Sequence, residues 1–477
     1  MNNGLSNDSI PLVVDLDGTL INTDLLYEAA VLLLKKNPAS VFKFIPWFLK
    51  GKAYLKSKIF ESVQIQYQLL PYNMEVISFL EKEFAAGRKI ILATASPLSV
   101  ALEVAKVHPI FSEVYGTEND INLKGANKLK LLVKKFGEGK FDYIGDAKVD
   151  VQIFACSRYC YLVNPANAVE RKAKNLPGFK NNFNASKTKL TDYLKAVRVY
   201  QWIKNILIFV PLITSHKLSV FNLSLSFLGF ISFSLVASAG YLLNDLLDLN
   251  SDRKHPRKQF RPVASGKLSI INTVVLSIIF LVMGIGLAAS LNLLFLAILL
   301  LYFCISFSYS LLFKKMVLYD VFILALLYSI RVFAGGLLID VALSFWLIAF
   351  STFIFLSLAF VKRYSELIQM KDAPDLKNHG RAYAVEDINL LQVMGIVSGF
   401  LSAVVFSLYI NSPEVTQLYS KPKILWAISF LFLFWISRIW LFTTRGKMTD
   451  DPIVFAIKDV TSYFVFLLTG LLILASI

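Results

Sequence analysis

The sequence predicts a protein of two dissimilar parts: an N-terminal α/β domain with a parallel sheet and a helical cap, and a C-terminal all-α polytopic membrane domain of about nine transmembrane helices. Three observations lead to this fold class. An apolar strand at 11–14 delivers two carboxylates to its end, as in open α/β sheets, whose ligands gather at strand ends. Hydrophobic residues make up 56% of the chain, with their excess after residue 200. Apolar runs of the length that a bilayer demands then recur to residue 475.

Composition and charge narrow the possible partners. The 477 residues leave room for two or three domains, and only 17% of them are charged, which does not suit an ordinary soluble protein. The net charge of +16 comes from basic residues beside apolar runs, which favours a cytoplasmic membrane face with anionic lipid or phosphate partners over nucleic acid. Cys156, Cys160 and Cys304 show no metal-binding spacing and require no disulfide. No signal peptide is visible, so we expect the first domain to stay in the cytoplasm.

The first chemical motif is the run P-L-V-V-D-L-D-G-T-L at 11–20. Its strand brings two aspartates to the carboxyl edge of the sheet, and Gly18 allows a tight turn. A second strand at 89–93 ends in a threonine, and the runs K-G-A-N-K-L-K and F-D-Y-I-G-D-A-K-V-D follow in order. The candidate site residues of these segments are Asp15, Asp17, Thr94, Lys128, Asp146 and Asp150.

This order of motifs resembles the haloacid dehalogenase (HAD) phosphatase superfamily, which implies a HAD-like Rossmannoid parallel sheet and a magnesium site. By that resemblance Asp15 attacks phosphorus to form an aspartyl phosphate, while Asp17 protonates the leaving alcohol and then activates water. Thr94 and Lys128 would hold phosphoryl oxygens. One Mg²⁺ would be bound by Asp15, Asp17, Asp146 and Asp150. The alternative that remains open is a regulatory or weakly active domain.

Domain boundaries follow from the hydrophobic pattern. The HAD-like phosphatase domain is expected at 1–165, with its cap at about 25–83. Within the cap, 41–56 mixes aromatic and basic residues, which fits either a segment lying in a membrane interface or ordinary packing within the cap. At 166–197 the pattern weakens, and we predict a basic linker that ends in an interfacial helix. The transmembrane domain is expected at 198–477.

Nine transmembrane spans are predicted in the second part. They lie near 203–220, 223–243, 271–290, 292–310, 317–338, 342–361, 388–410, 424–442 and 455–475. With a cytoplasmic N-terminus, the loops after even-numbered spans lie inside, and these loops carry most of the basic residues. This distribution follows the positive-inside rule and predicts an integral inner-membrane protein with cytoplasmic active-site loops.

The stretch 244–266, N-D-L-L-D-L-N-S-D-R-K-H-P-R-K-Q-F-R-P-V-A-S-G, follows the second predicted span. Residues three and four apart share a helix face, so Asn244, Asp248 and Asp252 should form one stripe with Asp245 beside it. Mg²⁺ would relieve the repulsion among these carboxylates, since it takes a few carboxylates together with substrate phosphates. A basic run suited to phosphate oxygens follows: Arg253, Lys254, His255, Arg257, Lys258 and Arg261. The stretch predicts a diphosphate-handling site, against the alternative of a solvated charged loop.

The pattern N-D-x-x-D-x-x-x-D followed by R-P-x-A-S-G resembles the UbiA superfamily of intramembrane prenyltransferases, over roughly 196–477. The resemblance implies catalytic roles for Asp245, Asp248 and Asp252, and one or more Mg²⁺ held by these residues and Asn244. Three further runs resemble the decaprenyl-phosphate phosphoribosyltransferase branch: Q-W-I-K-N at 201–205, R-V-F-A-G-G at 331–336 and K-R-Y-S-E-L at 362–367. Quinone-type members share a second aspartate-rich motif in this last region, whereas here Asp372 and Asp375 come only later, in a polar loop.

These runs add candidate phosphate ligands to those of the basic loop. Four of them, Lys204, Arg331, Lys362 and Arg363, lie in these runs, and a fifth, Lys314, lies in the same segment as Arg331, from Tyr309 to Gly336. A charged residue within a span is costly, so Arg331 should face a polar cavity or partner. The alternative is a structural role for Arg331 in a buried ion pair with an aspartate.

The resemblance implies a magnesium-dependent reaction in which 5-phosphoribosyl passes from phosphoribosyl pyrophosphate to a polyprenyl phosphate. The HAD-like domain would then dephosphorylate the 5-phosphoribosyl lipid, a precursor for the cell envelope. A homo-oligomer is possible and no nucleic acid is expected. Two alternatives stay open: an aromatic prenyltransferase that uses a prenyl diphosphate beside an independent HAD phosphatase, and a lipid or anion transporter with a regulatory HAD domain.

Overall fold

The structure is a computed structural model that describes residues 10–118, 122–183, 188–371, 382–448 and 451–476. Contacts divide the chain into two compact units. The first unit comprises the chain up to Ala196 together with Asp245–Val275, and the second comprises Val197–Asn244 and Leu276–Ile477. The positions Asp372 and Asp375, named above, lie outside the described residues.

The first unit is built on a six-stranded parallel sheet. The strands are β1 Leu12–Val14, β2 Ile90–Pro97, β3 Glu113–Thr117, β4 Asp142–Gly145, β5 Cys160–Val163 and β6 Phe179–Phe183. Their order across the sheet is β3-β2-β1-β4-β5-β6. Chain order reverses beside β1, which pairs with both β2 and β4. Open α/β sheets bind ligands at the carboxyl ends of strands next to such a reversal, so β1 and β4 mark the expected site.

Helices pack on both faces of this sheet. In chain order, the helices up to residue 197 are α1 Leu25–Lys36, α2 Val41–Leu49, α3 Lys52–Glu61, α4 Met74–Ala85, α5 Leu98–Val107, α6 Ala126–Phe136, α7 Val151–Cys156, α8 Asn167–Lys174 and α9 Leu190–Val197. Helices α4 to α8 contribute side chains to the two cores of the sheet. Alternate strand residues point to opposite faces. Leu12 therefore packs with Val76 of α4, whereas Val13 packs on the other face with Leu132 of α6. Burial on both faces explains why β1, with the sequence L-V-V, is apolar at every position.

Two predicted boundaries in the first unit do not coincide with the ends of its secondary-structure elements. Helix α4 lies almost wholly inside the predicted cap range 25–83, but its Val76, Ile77 and Leu80 belong to the core of the sheet, so α1 to α3 form the inserted helical layer. The predicted linker at 166–197 contains α8 and β6, and β6 pairs with β5. The sequence F-K-N-N-F hides β6 because an edge strand buries few side chains, so its hydrophobic pattern is weak.

Apart from Leu249–Lys254, which lies in the first unit, the remaining helices supply the membrane part. In chain order they are α10 Val210–Thr214, α11 Val220–Leu247, α12 Leu249–Lys254, α13 Ile270–Leu291, α14 Leu293–Leu311, α15 Tyr319–Leu338, α16 Phe345–Lys371, α17 Ile388–Ile410, α18 Pro413–Leu418, α19 Trp426–Thr444, α20 Pro452–Lys458 and α21 Val460–Ser476. Seven helices in the described ranges are long and apolar enough to cross a membrane, and nine spans result if each of two bent helix pairs counts as one.

The two bent pairs correspond to the first and last predicted spans. The first predicted span begins in a 3₁₀ segment, Val199–Phe209, which follows a left-handed residue at Arg198. The last is broken by 84° between α20 and α21. Asp459 lies at this break, where its carboxylate pairs with Arg438 at 2.6 Å and accepts a hydrogen bond from the backbone N–H of Ser462. The prediction of nine spans agrees with the upper count.

Helix α15 is the most enclosed of the candidate spans, with 72% of its apolar window buried. Its R-V-F-A-G-G run explains part of this packing. A Cβ at Gly335 would collide with the backbone of Ile208 in the 3₁₀ segment, and one at Gly336 would crowd Leu343. The paired glycines therefore let the two backbones approach closely, as small residues do in membrane helix packing.

Candidate functional site

Three of the four aspartates predicted to bind metal in the first unit lie together at the carboxyl edge of the sheet. Asp15 follows β1, and Asp146 follows the neighbouring β4. Asp15, Asp146 and Asp150 each offer a carboxylate oxygen, and these oxygens lie within 4.8 Å of one another. Gly18 has a φ of 76°, and a Cβ there would collide with the Asp146 carboxylate. Only glycine fits this turn without displacing Asp146.

A buried lysine and tyrosine connect two of these carboxylates. Lys128 of α6 places its Nζ 2.9 Å from Asp15 Oδ1 and donates to the Tyr143 hydroxyl at 2.9 Å. That hydroxyl donates to Asp150 Oδ1 at 3.2 Å. The lysine side chain is 3% exposed, so its interaction with Asp15 is shielded from water. Lys128 thus places a buried cation beside the Asp15 carboxylate.

Three carboxyl groups of this site have a raised pKa, those of Asp17, Asp146 and Asp150. Burial, reinforced by the charge of Asp24, raises the pKa of Asp17 to about 7. Burial and the neighbouring charge of Asp15 raise the pKa of Asp150 to about 6 and also raise that of Asp146. Mg²⁺ prefers carboxylate oxygens, and its charge would offset this repulsion. The donor set of Asp15, Asp146 and Asp150 therefore fits a magnesium ion.

Asp17 has two fixed hydrogen bonds and a partner that the sequence did not indicate. Its carboxylate accepts from the backbone N–H of Leu25 and from the Ser96 hydroxyl, both at 2.8 Å. Thr94, the predicted phosphate ligand, is fully buried and accepts from the backbone N–H of Ser96. The structure thus brings the hydroxyl of Ser96, not that of Thr94, into contact with Asp17. Thr94 and Ser96 both belong to the run A-T-A-S, and the sequence alone did not indicate which of the two hydroxyls would contact Asp17.

An open cavity of about 340 Å³ lies over this carboxylate cluster. Two lysines that the sequence analysis did not single out, Lys56 of α3 and Lys124, contribute to its lining. Ser269, which immediately precedes α13, lines it as well. The segment 245–275 therefore forms part of the cavity wall.

The aspartate-rich segment does not form a continuous helical stripe. Helix α11 ends at Leu247 and α12 begins at Leu249, so the motif is divided at Asp248. The observed pairing joins Asp245 and Asp252, whose carboxylates lie 3.3 and 2.6 Å from Nη1 of Arg261. Burial raises the pKa of Asp252. Asp245, Asp252 and Arg261, all predicted site residues, thus form one cluster. The break between the helices at Asp248 determines which carboxylates come together.

The basic residues after this motif have different environments. The guanidinium of Arg253 forms two hydrogen bonds with the Glu28 carboxylate of α1, at 2.9 and 2.5 Å, and donates to the Ala264 carbonyl. Arg253 is therefore engaged within the first unit. Lys254 and Arg257 are exposed and Lys258 is half-buried, and Lys35 of α1 lies 3.7 Å from Asp248.

In the second unit, two predicted phosphate ligands meet at a residue that sequence reasoning missed. Lys204 Nζ lies 2.6 Å and Lys362 Nζ 3.3 Å from Asp451 Oδ2, and the Tyr328 hydroxyl donates to the same carboxylate. The run D-D-P at 450–452, just before the last apolar run, was the available signal. Its partners are distant in sequence, so only the tertiary structure joins them.

Arg331 and Arg363 are both deeply buried, but their partners differ. Arg331 donates to Asn205 Oδ1 at 2.8 Å and to the Tyr302 hydroxyl at 3.0 Å. Arg363 instead forms the ion pair with Asp320 and contacts Glu366 at 2.7 Å. Among the residues that the structure describes, the Arg331 guanidinium forms no ion pair with an aspartate, and Asp320 is paired with Arg363 instead. Lys314, in the loop after α14, is half-buried, and its predicted phosphate contact stays a prediction.

Comparison with known proteins identifies relatives of the whole chain and of its membrane part. The uncharacterized protein y4nM of Sinorhizobium fredii is 34% identical over 459 residues, covering 96% of this chain and 89% of the relative. The nodulation protein NoeC of Azorhizobium caulinodans is 32% identical over 280 residues, covering 58% of this chain and 91% of the relative. The decaprenyl-phosphate phosphoribosyltransferase of Corynebacterium glutamicum is 30% identical over 180 residues, covering 37% of this chain and 54% of the relative.

Among solved structures, a UbiA homolog from Archaeoglobus fulgidus bound to GPP and Mg²⁺ is 16% identical, with a TM-score of 0.45. The similarity covers 59% of this chain and 99% of the homolog. The model of the UbiA prenyltransferase family matches residues 206–458, more than half of the chain. Together with its apolar helices, this match makes the chain an integral membrane protein that belongs to the UbiA prenyltransferase family.

Proposed function

We propose that this protein transfers 5-phosphoribosyl from phosphoribosyl pyrophosphate to a polyprenyl phosphate, and that its sheet-edge site removes the 5-phosphate from the product. The observation that carries the transferase half is the pair of buried carboxylates, Asp245 and Asp252, held by the single guanidinium of Arg261. This arrangement combines an acidic cluster suited to a metal ion with a cation suited to a phosphate.

The burial of these groups explains why a metal ion fits. The side chains of Asp245 and Asp252 are 3% and 5% exposed, whereas that of Arg261 is 28% exposed. Buried carboxylates require cationic partners, and the carboxylates of Asp245, Asp248 and Asp252 would hold Mg²⁺. When bound, Mg²⁺ neutralises negative charge on a diphosphate leaving group. Arg261, whose guanidinium contacts both Asp245 and Asp252, would bind a phosphate oxygen beside that ion.

The transfer exchanges one C–O bond for another. The bond between C1 of the ribose and the pyrophosphate oxygen breaks, and pyrophosphate leaves with the electron pair. A phosphate oxygen of the lipid forms the new bond to C1. This oxygen is ionised at neutral pH, so the reaction needs no strong base. Lys204 and Lys362 both pair with Asp451, so this cluster of two lysines and one aspartate has a net positive charge. Such a cluster suits anionic phosphate groups.

Partial similarity to decaprenyl-phosphate phosphoribosyltransferases supports this donor and acceptor. The aligned region spans only about half of the relative. The runs around Lys204 and Lys362 also support a phosphoribosyl donor, because they resemble the branch of the family that uses one. Transfer from a prenyl diphosphate, which the family name describes, is the competing activity.

The sheet-edge site suits hydrolysis of a phosphomonoester. Asp15 forms a bond to phosphorus while the ester bond breaks, and Asp17 gives its proton to the leaving oxygen. A pKa of about 7 leaves Asp17 partly protonated at neutral pH, as this role requires. Asp17 then takes a proton from the water that attacks the aspartyl phosphate, which releases inorganic phosphate. Lys128 positions Asp15 during both steps.

The transferase proposal can be tested with purified protein, Mg²⁺, a polyprenyl phosphate and phosphoribosyl pyrophosphate labelled in the ribose. We expect label in the lipid phase for the natural protein and none for Asp252→Asn. Asp340→Asn is the matched control, because Asp340 is exposed and its φ of 50° suits asparagine. If no lipid is labelled but a prenyl diphosphate and an aromatic acid are consumed together, the prenyltransferase alternative is correct.

The phosphatase proposal is tested by the fate of the phosphoribosyl lipid. Asp15→Asn should make lipid-bound phosphoribose accumulate and stop release of inorganic phosphate. Glu81→Gln, an exposed change on α4, should release phosphate at the normal rate. Unchanged phosphate release by the Asp15 variant would refute the assignment of this site.

A further inference from the structure

Helix α2 presents large apolar side chains in nearly every direction. Its sequence is V-F-K-F-I-P-W-F-L, and Phe44 and Trp47 pack against a small core that includes Leu33 and Ile59. The opposite side is uncovered in the first unit: Phe42 is 77%, Ile45 68% and Leu49 80% exposed. A helix that is apolar all round belongs in a protein core or a membrane.

The exposed residues form one continuous stripe. Phe42, Ile45 and Leu49 are three and four residues apart, which places them on one face of the helix. Val41 and Phe48 are also exposed and extend this apolar surface. Contiguous exposed apolar surface of this kind marks an interaction site more often than an ordinary solvated surface.

A lipid bilayer is the partner that fits this surface. The first unit contains residues 245–275, which join the candidate membrane spans α11 and α13. The chain passes between this unit and the unit that carries the candidate spans at three points, after Ala196, Asn244 and Val275. Lys36, Lys43 and Lys50 are exposed at and around α2, and they match the negative charge of anionic headgroups.

The chain also connects α2 to the sheet-edge cavity. Helix α3 follows α2 after Gly51 and supplies Lys56, which lines the cavity and donates to the Ala95 carbonyl at 3.2 Å. The cavity wall includes Ser269, the residue before membrane helix α13. Lys56 of the cavity wall thus lies on the helix that follows α2, and Ser269 directly precedes α13. Both α2 and α13 have apolar surfaces suited to a membrane.

We propose that α2 lies in the membrane interface, with its Phe42, Ile45 and Leu49 face among the lipids, and that this contact presents the sheet-edge cavity to a phosphomonoester carried on a lipid. The membrane contact stands on the exposed surface alone. The substrate preference rests on the phosphatase activity proposed above.

The membrane contact can be measured with nitroxide labels on the full protein in nanodiscs that contain anionic lipid. Labels at Phe42→Cys and Ile45→Cys, in a background with the native cysteines replaced by serine, should be more accessible to oxygen than to a water-soluble nickel chelate. A label at Glu81→Cys, an exposed position of α4, should be more accessible to the nickel chelate than to oxygen. Preference for the nickel chelate at positions 42 and 45, or strong coupling between labels of two copies, would overturn the proposal in favour of solvent or a second protein chain.

The substrate preference is tested by replacing Phe42, Ile45 and Leu49 together with serine. Ribose 5-phosphate hydrolysis should stay within about twofold of the natural protein, while hydrolysis of the lipid product should fall about tenfold. Equal activity losses on both substrates would overturn the positioning role. If the natural protein hydrolyses neither substrate, the proposed phosphatase fails, and the nitroxide measurement still decides where α2 lies.

Discussion

The ion pair between Arg253 and Glu28 provides a quantitative test of how the aspartate-rich segment is held in the first unit. The two side chains are only 6% and 2% exposed, and two hydrogen bonds join them. Removing one partner leaves the other charge buried without its counter-ion, which costs about 3–5 kcal/mol. We therefore expect Glu28→Ala to lower the free energy of unfolding of the first unit by about that amount.

The assay is thermal unfolding in detergent, followed by tryptophan fluorescence. For a unit of roughly two hundred residues, 1 kcal/mol corresponds to about 2–4 °C in Tm, so the expected loss is about 10 °C. The combination of Glu28→Leu with Arg253→Met removes both charges and should recover most of this loss, because apolar replacements of buried pairs are often neutral. Lys36→Ala, an exposed change on the same helix, should leave the Tm unchanged.

The reasoning would be refuted by a Glu28→Ala variant whose Tm lies within about 2 °C of that of the natural protein. A buried guanidinium without its counter-ion should lower the free energy of unfolding by more than so small a change in Tm implies. The reasoning would also be refuted if the double replacement were no more stable than Glu28→Ala. In either case the segment 245–275 would be held by other contacts, such as the Thr188 hydroxyl that donates to the Lys267 carbonyl at 2.8 Å.

Three further predictions concern the charged clusters. Without metal, thermal stability should fall as pH rises from about 4 to 7. The reason is that the folded pKa values of Asp17 and Asp150, about 7 and about 6, exceed their ordinary value of 3.8. Added Mg²⁺ should restore stability at pH 7.5 but have little effect at pH 5. Ser96→Ala removes a hydrogen bond that lowers the pKa of Asp17, so the alkaline limb of the phosphatase pH–rate profile should shift upward. Asp451→Ala should destabilise the protein by about 3 kcal/mol or more, whereas Lys362→Ala, at a 28% exposed side chain, should cost less than about 1 kcal/mol, as thermal unfolding would show.

Local sequence was sufficient where a short segment determines the geometry. The D-x-D run and the F-D-Y-I-G-D run each follow an apolar strand, and parallel strands bring such ends to one edge, so the Asp15, Asp146 and Asp150 cluster was predictable. The membrane helices were predictable because a bilayer imposes a length and an apolar composition on every span. The two-part organisation followed from the same patterns.

Tertiary structure decided the features that depend on partners distant in the chain. Asp451 is 247 residues from Lys204, and no local pattern reveals that a buried lysine will select that carboxylate. The weak pattern of β6 concealed a strand, because an edge strand can keep polar side chains. The turn at Asp248 replaced the predicted stripe with the Asp245–Asp252 pair, because a single break in a helix changes which residues share a face. The sequence by itself thus determined the kinds of groups present and the elements that carry them, and only the folded chain determined which charges neutralise one another, because pairing of buried charges depends on distance in space.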